Sequence, residues 1–593
     1  MARRRLRDDE LCKVLEEVLD EDFPSDLDTP IESSDDEDDD NIDTRIITEQ
    51  TDLPGPSGVG QNSSIDSEVS EDDNENIIPQ TVRNFRKRDF STTIPVFTSA
   101  SGTVQQYFVG KNSAVDIFLT VLSDKVIENL VYQSNLYLVQ KQKRMQPITE
   151  QELYGFFGLD FMFSYHRLPQ LRNYWSCDSD LNVPVVSQIM TRDRYKQILS
   201  ILHVNDNLSM PDGNRDKLYK IRPLITALNE NFQKFRLPEQ IQSIDESMVR
   251  FKGRSTLKQY NPMKPIKRGY KLWSRADMTG YIYEFDVYQG KMGTSDNASK
   301  KQFGLGGSVV QKLTSSLHNA NYIVMMDNFF SSLDLFEYLK AHGVYACGTV
   351  RPNRVGLPKL ANDKDLNRGE FDYEVSDQNI IYYKWKDNRC VHFLSNYHGS
   401  ETVNVKRKEK NGTQIDISGP AVVIDYNSHM GGVDKADMLR SLYDRDRKSK
   451  KWWHRLLFAF MEITLVNSYV IYSEVCGKTP FLQYKRMVAQ GLLTKAKTCS
   501  KKRGRPKTEN SPSATSSHLS IQNKRRKAGF SVLKDIRNEN RGAHWPEFVK
   551  NRGRCEYCSM QNKESRPHSK CSLCKVFLCV NERKNCFYEY HFA

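Results

Sequence analysis

The sequence predicts a multidomain protein that joins a mixed α/β domain to all-helical parts, and three patterns support this fold class. Residues 270–290 alternate aromatic and β-branched side chains around Thr279-Gly280, which predicts a β-hairpin. The apolar run 322–326 is typical of a strand buried on both faces, and a helical pattern and a further strand follow it up to residue 350. Helical periodicity over 112–240 and again after 444 adds all-α segments on either side.

Charge is distributed unevenly along the 593 residues. The net charge is +11, but residues 1–80 alone carry −20, which leaves +31 on the rest of the chain. A basic body favours a polyanionic partner, most plausibly nucleic acid, although a solvated surface on an ordinary soluble protein is the plain alternative. The start of the chain lacks the apolar core of a signal peptide, so we expect an intracellular protein.

The acidic region 1–95 is expected to be disordered. Residues 33–40 are almost entirely charged, and a Pro/Gly/Ser stretch follows at 54–58. Such a segment buries too little apolar surface to offset its ordering entropy. It acts either as a DNA mimic that restrains the basic body or as a solubilising tail.

Two stretches, 96–240 and 444–498, are predicted to be helical, and the first is interpreted as a domain that contacts DNA or a second subunit. The longest apolar stretch, 456–472, contains Glu462, Asn467 and Ser468. A membrane span would bury these polar groups at a cost, so we predict a core helix and no membrane partner. Between the helical stretches, 241–351 and 421–443 form the mixed α/β domain, and 352–420 is a β-rich insertion.

Four aspartates are the candidate catalytic residues. Asp327 follows the strand 322–326, and Asp245 follows a weaker strand candidate. In open α/β sheets, ligand sites lie at the carboxyl ends of strands. Asp434 and Asp437 are three residues apart on a helix that begins near Val433, which places both on one face. Taken singly, an aspartate at a strand end is more often a turn or capping residue.

Clustered carboxylates are suited to phosphodiester chemistry. They would repel one another without a cation, so their convergence implies metal binding. We expect two Mg²⁺ ions held by three or four of these carboxylates, and Mn²⁺ can substitute. One ion activates the attacking water or 3′-hydroxyl and the other stabilises the leaving oxygen. No small-molecule substrate is expected.

Basic and aromatic residues near these aspartates are candidate DNA contacts. Lys264 and Arg268 lie beside Tyr270, and Arg351 and Arg354 follow the strand after Asp327. Contacts of this kind bind phosphate and set register, although a solvated charged rim is the plain alternative. Farther along the chain, we expect contacts from Lys448, Lys451 and Trp452. One of the adjacent Trp452 and Trp453 can stack on an unpaired base, while the other packs in the core.

The segment 499–545 is a basic linker. Its RGRPK string, which contains Arg503 and Arg505, resembles an AT-hook that enters the minor groove of A·T-rich DNA. With the second basic cluster at 524–527 it also fits a nuclear-import signal, and the same residues can serve both roles. We expect a nuclear protein.

The last 48 residues, 546–593, are expected to bind zinc. CxxC pairs in a reducing compartment indicate metal ligation rather than disulfides. Two tetrahedral sites need eight ligands, and the chain offers seven clear candidates and one further histidine. The predicted ligands are Cys555, Cys558, His568, Cys571, Cys574, Cys579, Cys586 and His591.

Six strings in order carry a family resemblance over roughly 110–593. They are SIDESMVRFKGR (243–254), KPIKRGYKLW (264–273), MMDNFFSS (325–332), CGTVRPNR (347–354), YNSHMGGVDKADM (426–438) and RKSKKWW (447–453). This order, followed by the Cys/His block, resembles the piggyBac family of DNA transposases.

The resemblance implies an RNase H-like catalytic core with a β-rich insertion, flanked by a split all-helical dimerisation and DNA-binding domain. It implies homodimers that cut and paste DNA at TTAA sites through hairpin intermediates. Asp245, Asp327 and Asp434 would be the catalytic triad that holds the two Mg²⁺ ions, with Asp437 adjacent. Asn328, Arg351 and Arg354 would lie near the DNA. Trp452 matches the family pattern and would therefore be the tryptophan that stacks on a base. Trp453 departs from that pattern, in which proline is common.

The resemblance also implies a cross-brace zinc module that reads DNA ends. In the pairing that it implies, Cys555, Cys558 and Cys579 share one ion, and Cys571, Cys574, Cys586 and His591 share the other. His568, a water or a further residue would complete the first site. A ubiquitin-ligase RING is the competing interpretation. For the whole chain, the alternatives to an active transposase are a domesticated chromatin-binding protein and a structural zinc-containing interaction protein.

Overall fold

The computed structural model describes residues 83–262, 264–290, 297–408, 413–445, 449, 451–497, 537, 544–561, 563–581 and 583–591. The acidic segment up to residue 82 and most of the predicted linker 499–545 lie outside these residues, as do Lys448, Arg503 and Arg505. The large sheet and the helices around it belong to one compact unit of the chain, which is formed by Arg83–Leu168 and Asn173–Ala593.

A large mixed sheet organises the chain. The strands are β1 (Phe85–Arg86), β2 (Gly102–Thr103), β3 (Arg236–Leu237), β4 (Ile241–Arg250), β5 (Gln259–Tyr260), β6 (Arg268–Ala276), β7 (Ile282–Val287), β8 (Ile323–Met326), β9 (Tyr345–Thr349), β10 (Phe371–Ser376), β11 (Ile381–Lys386), β12 (Cys390–Ser395), β13 (Thr402–Lys408), β14 (Gln414–Pro420), β15 (Pro546–Phe548), β16 (Ser569–Cys571), β17 (Val580–Asn581) and β18 (Lys584–Asn585). The large sheet has the order β1-β10-β11-β12-β9-β8-β4-β6-β5, and β7 also pairs with β6.

The centre of this sheet is the predicted α/β unit. Strands β4, β8 and β9 are parallel, whereas β6 runs antiparallel to β4 and β7 antiparallel to β6. The β6–β7 pair confirms the hairpin predicted around Thr279-Gly280. Parallel neighbours connected through helices bring the carboxyl ends of β8 and β9 to the same edge.

Two predicted boundaries differ in the structure. Strands β10 to β12 of the expected insertion continue the large sheet from β9, because β12 pairs antiparallel with β9. Only β13 and β14 form a separate two-stranded ladder within 352–420 among the described residues. The expected disorder up to residue 95 is wrong for 83–95: Phe85 pairs with Ser376, and Arg83 Nε donates to Glu337 Oε1 at 2.8 Å.

Helices precede, follow and cover the sheet. They are α1 (Ala114–Leu122), α2 (Asp124–Gln140), α3 (Glu150–Tyr165), α4 (Pro184–Ile189), α5 (Arg192–Ile201), α6 (Arg222–Phe235), α7 (Asn297–Thr314), α8 (Leu333–Ala341), α9 (Ala421–His429), α10 (Gly432–Leu442), α11 (Trp452–Val475), α12 (Phe481–Lys497), α13 (Glu556–Met560) and α14 (Cys586–His591). Short 3-10 helices occur at Gln105–Tyr107, Asn207–Ser209 and Ser315–Leu317.

The helical stretches on the two sides of the sheet domain pack together. A Cβ added to Gly158 on α3 would lie 2.9 Å from Leu493 Cδ2 on α12, so glycine permits the close approach. The helices from 96–240 and from 444–498 therefore share one interface.

Helix α11 has the length and apolar composition of a membrane span, but 78% of its most apolar window is buried inside the protein. Its polar residues have partners in that interior. Asn467 exchanges two hydrogen bonds with the backbone of Ile282, at 2.9 and 2.7 Å, and Glu462 accepts from Lys485 Nζ at 2.8 Å. The predicted core helix is confirmed.

Two apolar cores fill the two faces of the central sheet. Alternate residues of β8 divide between them: Val324 and Met326 belong to one core, and Ile323 and Met325 to the other. Helices α7 and α8 cover the first core, and α9 and the β13–β14 ladder cover the second. These layers fix the edge where β8 ends, directly before Asp327.

Candidate active site and metal-binding clusters

Two predicted acids lie side by side, Asp245 on β4 and Asp327 directly after the adjacent parallel strand β8. Ile244 of β4 pairs with Met326 of β8, so the next residue on each strand, Asp245 and Asp327, continues the same register. Asp327 follows the end of β8 as predicted, but Asp245 lies in the middle of β4, which continues to Arg250. The sequence predicted only a weak, shorter strand for β4, because polar residues interrupt its alternation of apolar and polar side chains.

Helix α10 brings the other two acids to this edge. It begins at Gly432, where a Cβ would lie 2.5 Å from the Asp277 carbonyl oxygen and 2.7 Å from Ser243 Oγ. Only glycine allows this contact with the sheet without displacement of the helix. Asp434 is then in the first turn, with a largely exposed side chain, and Asp437 lies one turn later.

A lysine connects the carboxylates from the strand and the helix. Lys264 Nζ lies 3.1 Å from Asp245 Oδ2 and 3.8 Å from Asp434 Oδ1. This contact and the register of β4 with β8 bring Asp245, Asp327 and Asp434 to one site. Asp437 is held differently, because Arg440 donates to its Oδ1 at 3.0 Å and to the Met248 carbonyl at 3.0 Å.

Burial sets the protonation of these acids. It raises the pKa of Asp245 to about 6, against the opposing pull of Lys264, and the nearby Asp327 charge adds to the increase. Burial also raises the pKa of Asp327 and that of Asp437, although Arg440 opposes the latter. Removing such carboxylates from water costs free energy that a bound cation would recover.

Two further residues at the site were not identified from the sequence. Glu246, next to Asp245, forms an ion pair with Lys271 at 2.5 Å and accepts from Asn261 Nδ2 at 2.6 Å. Tyr426 has a pKa raised by burial and, less strongly, by the charges of Asp327 and Asp245. Both lie within the strings quoted above, but a single sequence does not distinguish them from their neighbours.

The predicted DNA contacts near Asp327 fall into two kinds. Arg351 is exposed, and its Nε lies 3.3 Å from Asn328 Oδ1. Arg354 is partly buried and donates to the backbone carbonyls of Asn328 and Phe329, at 3.1 and 2.9 Å. Both arginines contact the loop after Asp327, but Arg354 supports its backbone. Arg268 is exposed beside Tyr260, with its guanidinium carbon 5.5 Å from the ring centroid.

The paired tryptophans divide as predicted in burial. Trp453 is 3% exposed and packs near His203, with ring centroids 5.1 Å apart. Trp452 is partly exposed at the start of α11, 6.4 Å from the ring centroid of Tyr270. Lys451 donates to the Ser200 carbonyl at 2.8 Å, so part of its donor capacity is used within the chain.

Two groups of four possible zinc ligands lie in the C-terminal region. The first is Cys555, Cys558, Cys579 and Cys586, and the second is His544, Cys571, Cys574 and His591. Within each group, all ligand atoms lie within 4.8 Å of one another. Four thiols, or two thiols with two imidazoles, are donor sets that tetrahedral zinc takes, so the residues fit this ion. The two groups interleave along the chain, as a cross-brace requires.

The structure corrects the expected pairing in two places. Cys586 lies with the first group, where its sulfur is 3.4 Å from Cys558 Sγ, rather than with Cys571 and Cys574. His568 is exposed, and its Nε2 accepts from Arg552 Nε at 2.9 Å. His544, which is not among the predicted ligands, completes the second group, with its Nδ1 3.3 Å from Cys574 Sγ. His544 lies eleven residues before Cys555, the first cysteine of the CxxC pairs, and so falls outside the predicted zinc-binding region 546–593.

Comparison with known proteins identifies the class. A family profile described as Transposase IS4 matches residues 113–469. The human PiggyBac transposable element-derived protein 3 is 34% identical over 413 residues, which is 68% of each chain. The human PiggyBac transposable element-derived protein 2 is 27% identical over 520 residues, covering 86% of this chain and 81% of the relative.

A solved structure has the same fold. It is the cryo-EM structure of the piggyBac transposase synaptic complex with hairpin DNA, with a TM-score of 0.59 and 23% identity. The likeness covers 68% of this chain and 86% of that one. The mixed α/β sheet and the helices around it therefore have the fold of that transposase. The chain belongs to the piggyBac transposase family.

Proposed function

We propose that this protein is a metal-dependent DNA transposase that excises and integrates a DNA element at TTAA sites through hairpin ends. The observation that carries the proposal is the convergence of Asp245, Asp327 and Asp434 around Lys264. In this reading, β4, β6, β7, β8 and β9 are the strands of an RNase H-like core. The helical stretches form a dimerisation and DNA-binding domain, and the protein acts as a homodimer in the nucleus.

The three carboxylates fit Mg²⁺ or Mn²⁺, because both are hard cations that prefer oxygen ligands. When bound, such ions polarise the scissile phosphate and lower the pKa of a coordinated water or 3′-hydroxyl. Asp245 and Asp327, fixed by adjacent strands, and Asp434, fixed by the first turn of α10, would hold them.

The surrounding residues would position the DNA. The exposed Arg351 beside Asn328 offers a guanidinium to the backbone phosphates next to Asp327. Arg354 holds the carbonyls of that loop, so the loop keeps its place when DNA enters. Arg268 and the partly exposed Trp452 would extend the contact, with Trp452 offering an aromatic face to an unpaired base.

The two Cys/His groups would hold two Zn²⁺ ions and so build a module that recognises the transposon ends. A region this short has little apolar core of its own, and metal binding would supply much of its folding free energy. The basic segment with Arg503 and Arg505 would add minor-groove contacts or a nuclear-import signal.

A second candidate function is a domesticated DNA-binding protein that no longer transposes. The names of the human relatives, which describe them as transposable element-derived, favour it. The four aspartates in this chain are intact, and their geometry supports the enzymatic proposal over this one.

The test is excision of a reporter flanked by TTAA and its cognate terminal repeats. We expect Mg²⁺-dependent excision by the native protein and none by Asp327→Ala, with DNA binding retained by both. Asp212→Ala, an exposed loop aspartate, is the matched control and should excise like the native protein. Failure of the native protein on confirmed ends would favour the domesticated function, and excision by Asp327→Ala would exclude this aspartate from catalysis.

A further inference from the structure

The ammonium group of Lys264 lies where a cation shared by two of the predicted metal ligands would lie. It is 3.1 Å from Asp245 Oδ2 and 3.8 Å from Asp434 Oδ1, and these two acids come from different elements. The Lys264 side chain is 23% exposed and that of Asp245 only 11%, so solvent screens their interaction weakly.

Among the described basic residues at the site, Lys264 differs from Lys271 and Arg440 because its charge is shared by several carboxylates. Glu246 is neutralised by Lys271 and Asp437 by Arg440, each through its own ion pair. The three acids left, Asp245, Asp327 and Asp434, share the single positive charge of Lys264. Three carboxylates and one ammonium leave a net charge of −2, which attracts a divalent cation.

An ammonium and a divalent cation compete for this position. Both would use the same oxygens of Asp245 and Asp434, and their like charges repel at such distances. For the ion to bind both carboxylates, Lys264 has to leave them. The strongest new acceptor for a released ammonium at this edge is a DNA phosphate, which also adds negative charge to the site.

We propose that Lys264 is an internal counter-ion that weakens metal binding in the free protein and is drawn to the DNA backbone when substrate arrives. Metal loading is thereby coupled to DNA binding, which limits cation occupancy without a phosphate to cleave. This inference rests on the proposed metal-dependent function, and it adds that Lys264 is a positioning residue that sets when the metal binds.

The test measures Mn²⁺ affinity by electron paramagnetic resonance on the full-length, zinc-loaded protein. Four proteins are compared without DNA: native, Lys264→Met, Lys264→Arg and Lys267→Met. We expect Lys264→Met to bind Mn²⁺ about tenfold more tightly than the native protein, within the usual range for coupled sites. Lys264→Arg keeps the charge and should match the native protein, as should Lys267→Met, an exposed lysine three residues along. Loss of the signal in Asp434→Ala assigns it to the carboxylate site.

The same titration with a DNA duplex present completes the test. DNA should tighten Mn²⁺ binding to the native protein strongly and to Lys264→Met weakly, so that the two affinities converge. Equal Mn²⁺ affinity of native and Lys264→Met without DNA would overturn the role of Lys264 and leave the proposed function intact. No Mn²⁺ binding by any variant, with or without DNA, would instead overturn the proposed function itself. Thermal unfolding of each variant checks that a changed affinity does not come from misfolding.

Discussion

The backbone of Gly432 contacts the carbonyl oxygen of Asp277 so closely that a Cβ at this position would lie 2.5 Å from that oxygen. This contact sets where α10 begins against the sheet and therefore where Asp434 lies. A backbone feature thus determines the geometry of a carboxylate two residues later.

Gly432→Ala is expected to reduce excision strongly, because the added methyl group displaces the first turn of α10 and Asp434 with it. Overpacking of this kind costs about 1–3 kcal/mol of unfolding free energy. The measurements are reporter excision and urea unfolding. Gly431→Ala is the matched control: its Cβ would meet only Met278 Cε, at 4.0 Å, so excision should persist. Equal loss of excision in the two variants would contradict the assigned role of Gly432.

Stability should depend on pH through Asp245. Burial raises its pKa to about 6, whereas an aspartate in an unfolded chain has a pKa of about 3.9. The folded protein therefore binds this proton more tightly than the unfolded chain does. The resulting stabilisation is fully present below about pH 4 and is lost as pH rises through about 6. Asp245→Asn removes this titration. Without divalent cations, the stability of the native protein relative to Asp245→Asn should fall by about 2 kcal/mol from pH 4 to 7. Parallel unfolding curves over this range would contradict the prediction.

The number of zinc ions that each variant binds should depend on the two ligand groups seen in the structure, not on the spacing of cysteines and histidines in the sequence. We expect two zinc ions per native chain, and loss of one in His544→Ala or Cys586→Ser, because each removes a ligand from a group of four. His568→Ala should retain both ions. Native mass spectrometry or elemental analysis measures the content. Two ions in His544→Ala together with one in His568→Ala would restore the pairing first expected.

Replacing Arg351 or Arg354 with alanine should affect different properties: DNA binding for Arg351 and stability for Arg354. Arg351→Ala should leave stability unchanged and reduce the salt slope of DNA binding by about one phosphate contact. Arg354→Ala removes two hydrogen bonds to the loop after Asp327 and should lower the free energy of unfolding by about 1–3 kcal/mol. Salt-dependent binding and urea unfolding separate the two effects. A large stability loss in Arg351→Ala would show that it, too, supports the loop.

Alanine substitutions of the two tryptophans at the start of α11 should likewise affect different properties, stability for Trp453 and DNA binding for Trp452. Trp453→Ala should destabilise the fold by about 3–5 kcal/mol, because this side chain is 3% exposed. Trp452→Ala should cost little stability and weaken binding to DNA with an unpaired base by about 1–3 kcal/mol. Binding to such DNA and thermal unfolding are the readouts. Unchanged DNA binding in a folded Trp452→Ala protein would leave Trp452 as a packing residue beside Tyr270.

Local patterns predicted much of this molecule. The hairpin around Thr279-Gly280, the strand before Asp327 and the helix of Asp434 all depend on periodicity or turn chemistry within a few residues. The boundary at 351/352 could not be predicted in this way, because the pairing of β12 with β9 depends on sheet hydrogen bonds between distant segments. For the same reason Asp245 was placed at the end of a strand that in fact continues to Arg250.

The sequence by itself determined the types of residue available for chemistry: the acids, the basic contacts and the Cys/His donors, each marked by charge or short spacing. Only the tertiary structure decided which of them meet. Lys264 reaches Asp245 and Asp434, His544 joins Cys574, and Cys586 joins Cys558, across separations that no local period encodes. The physical reason is that side-chain proximity follows from strand register and helix packing, which depend on the burial of apolar surface across the whole fold.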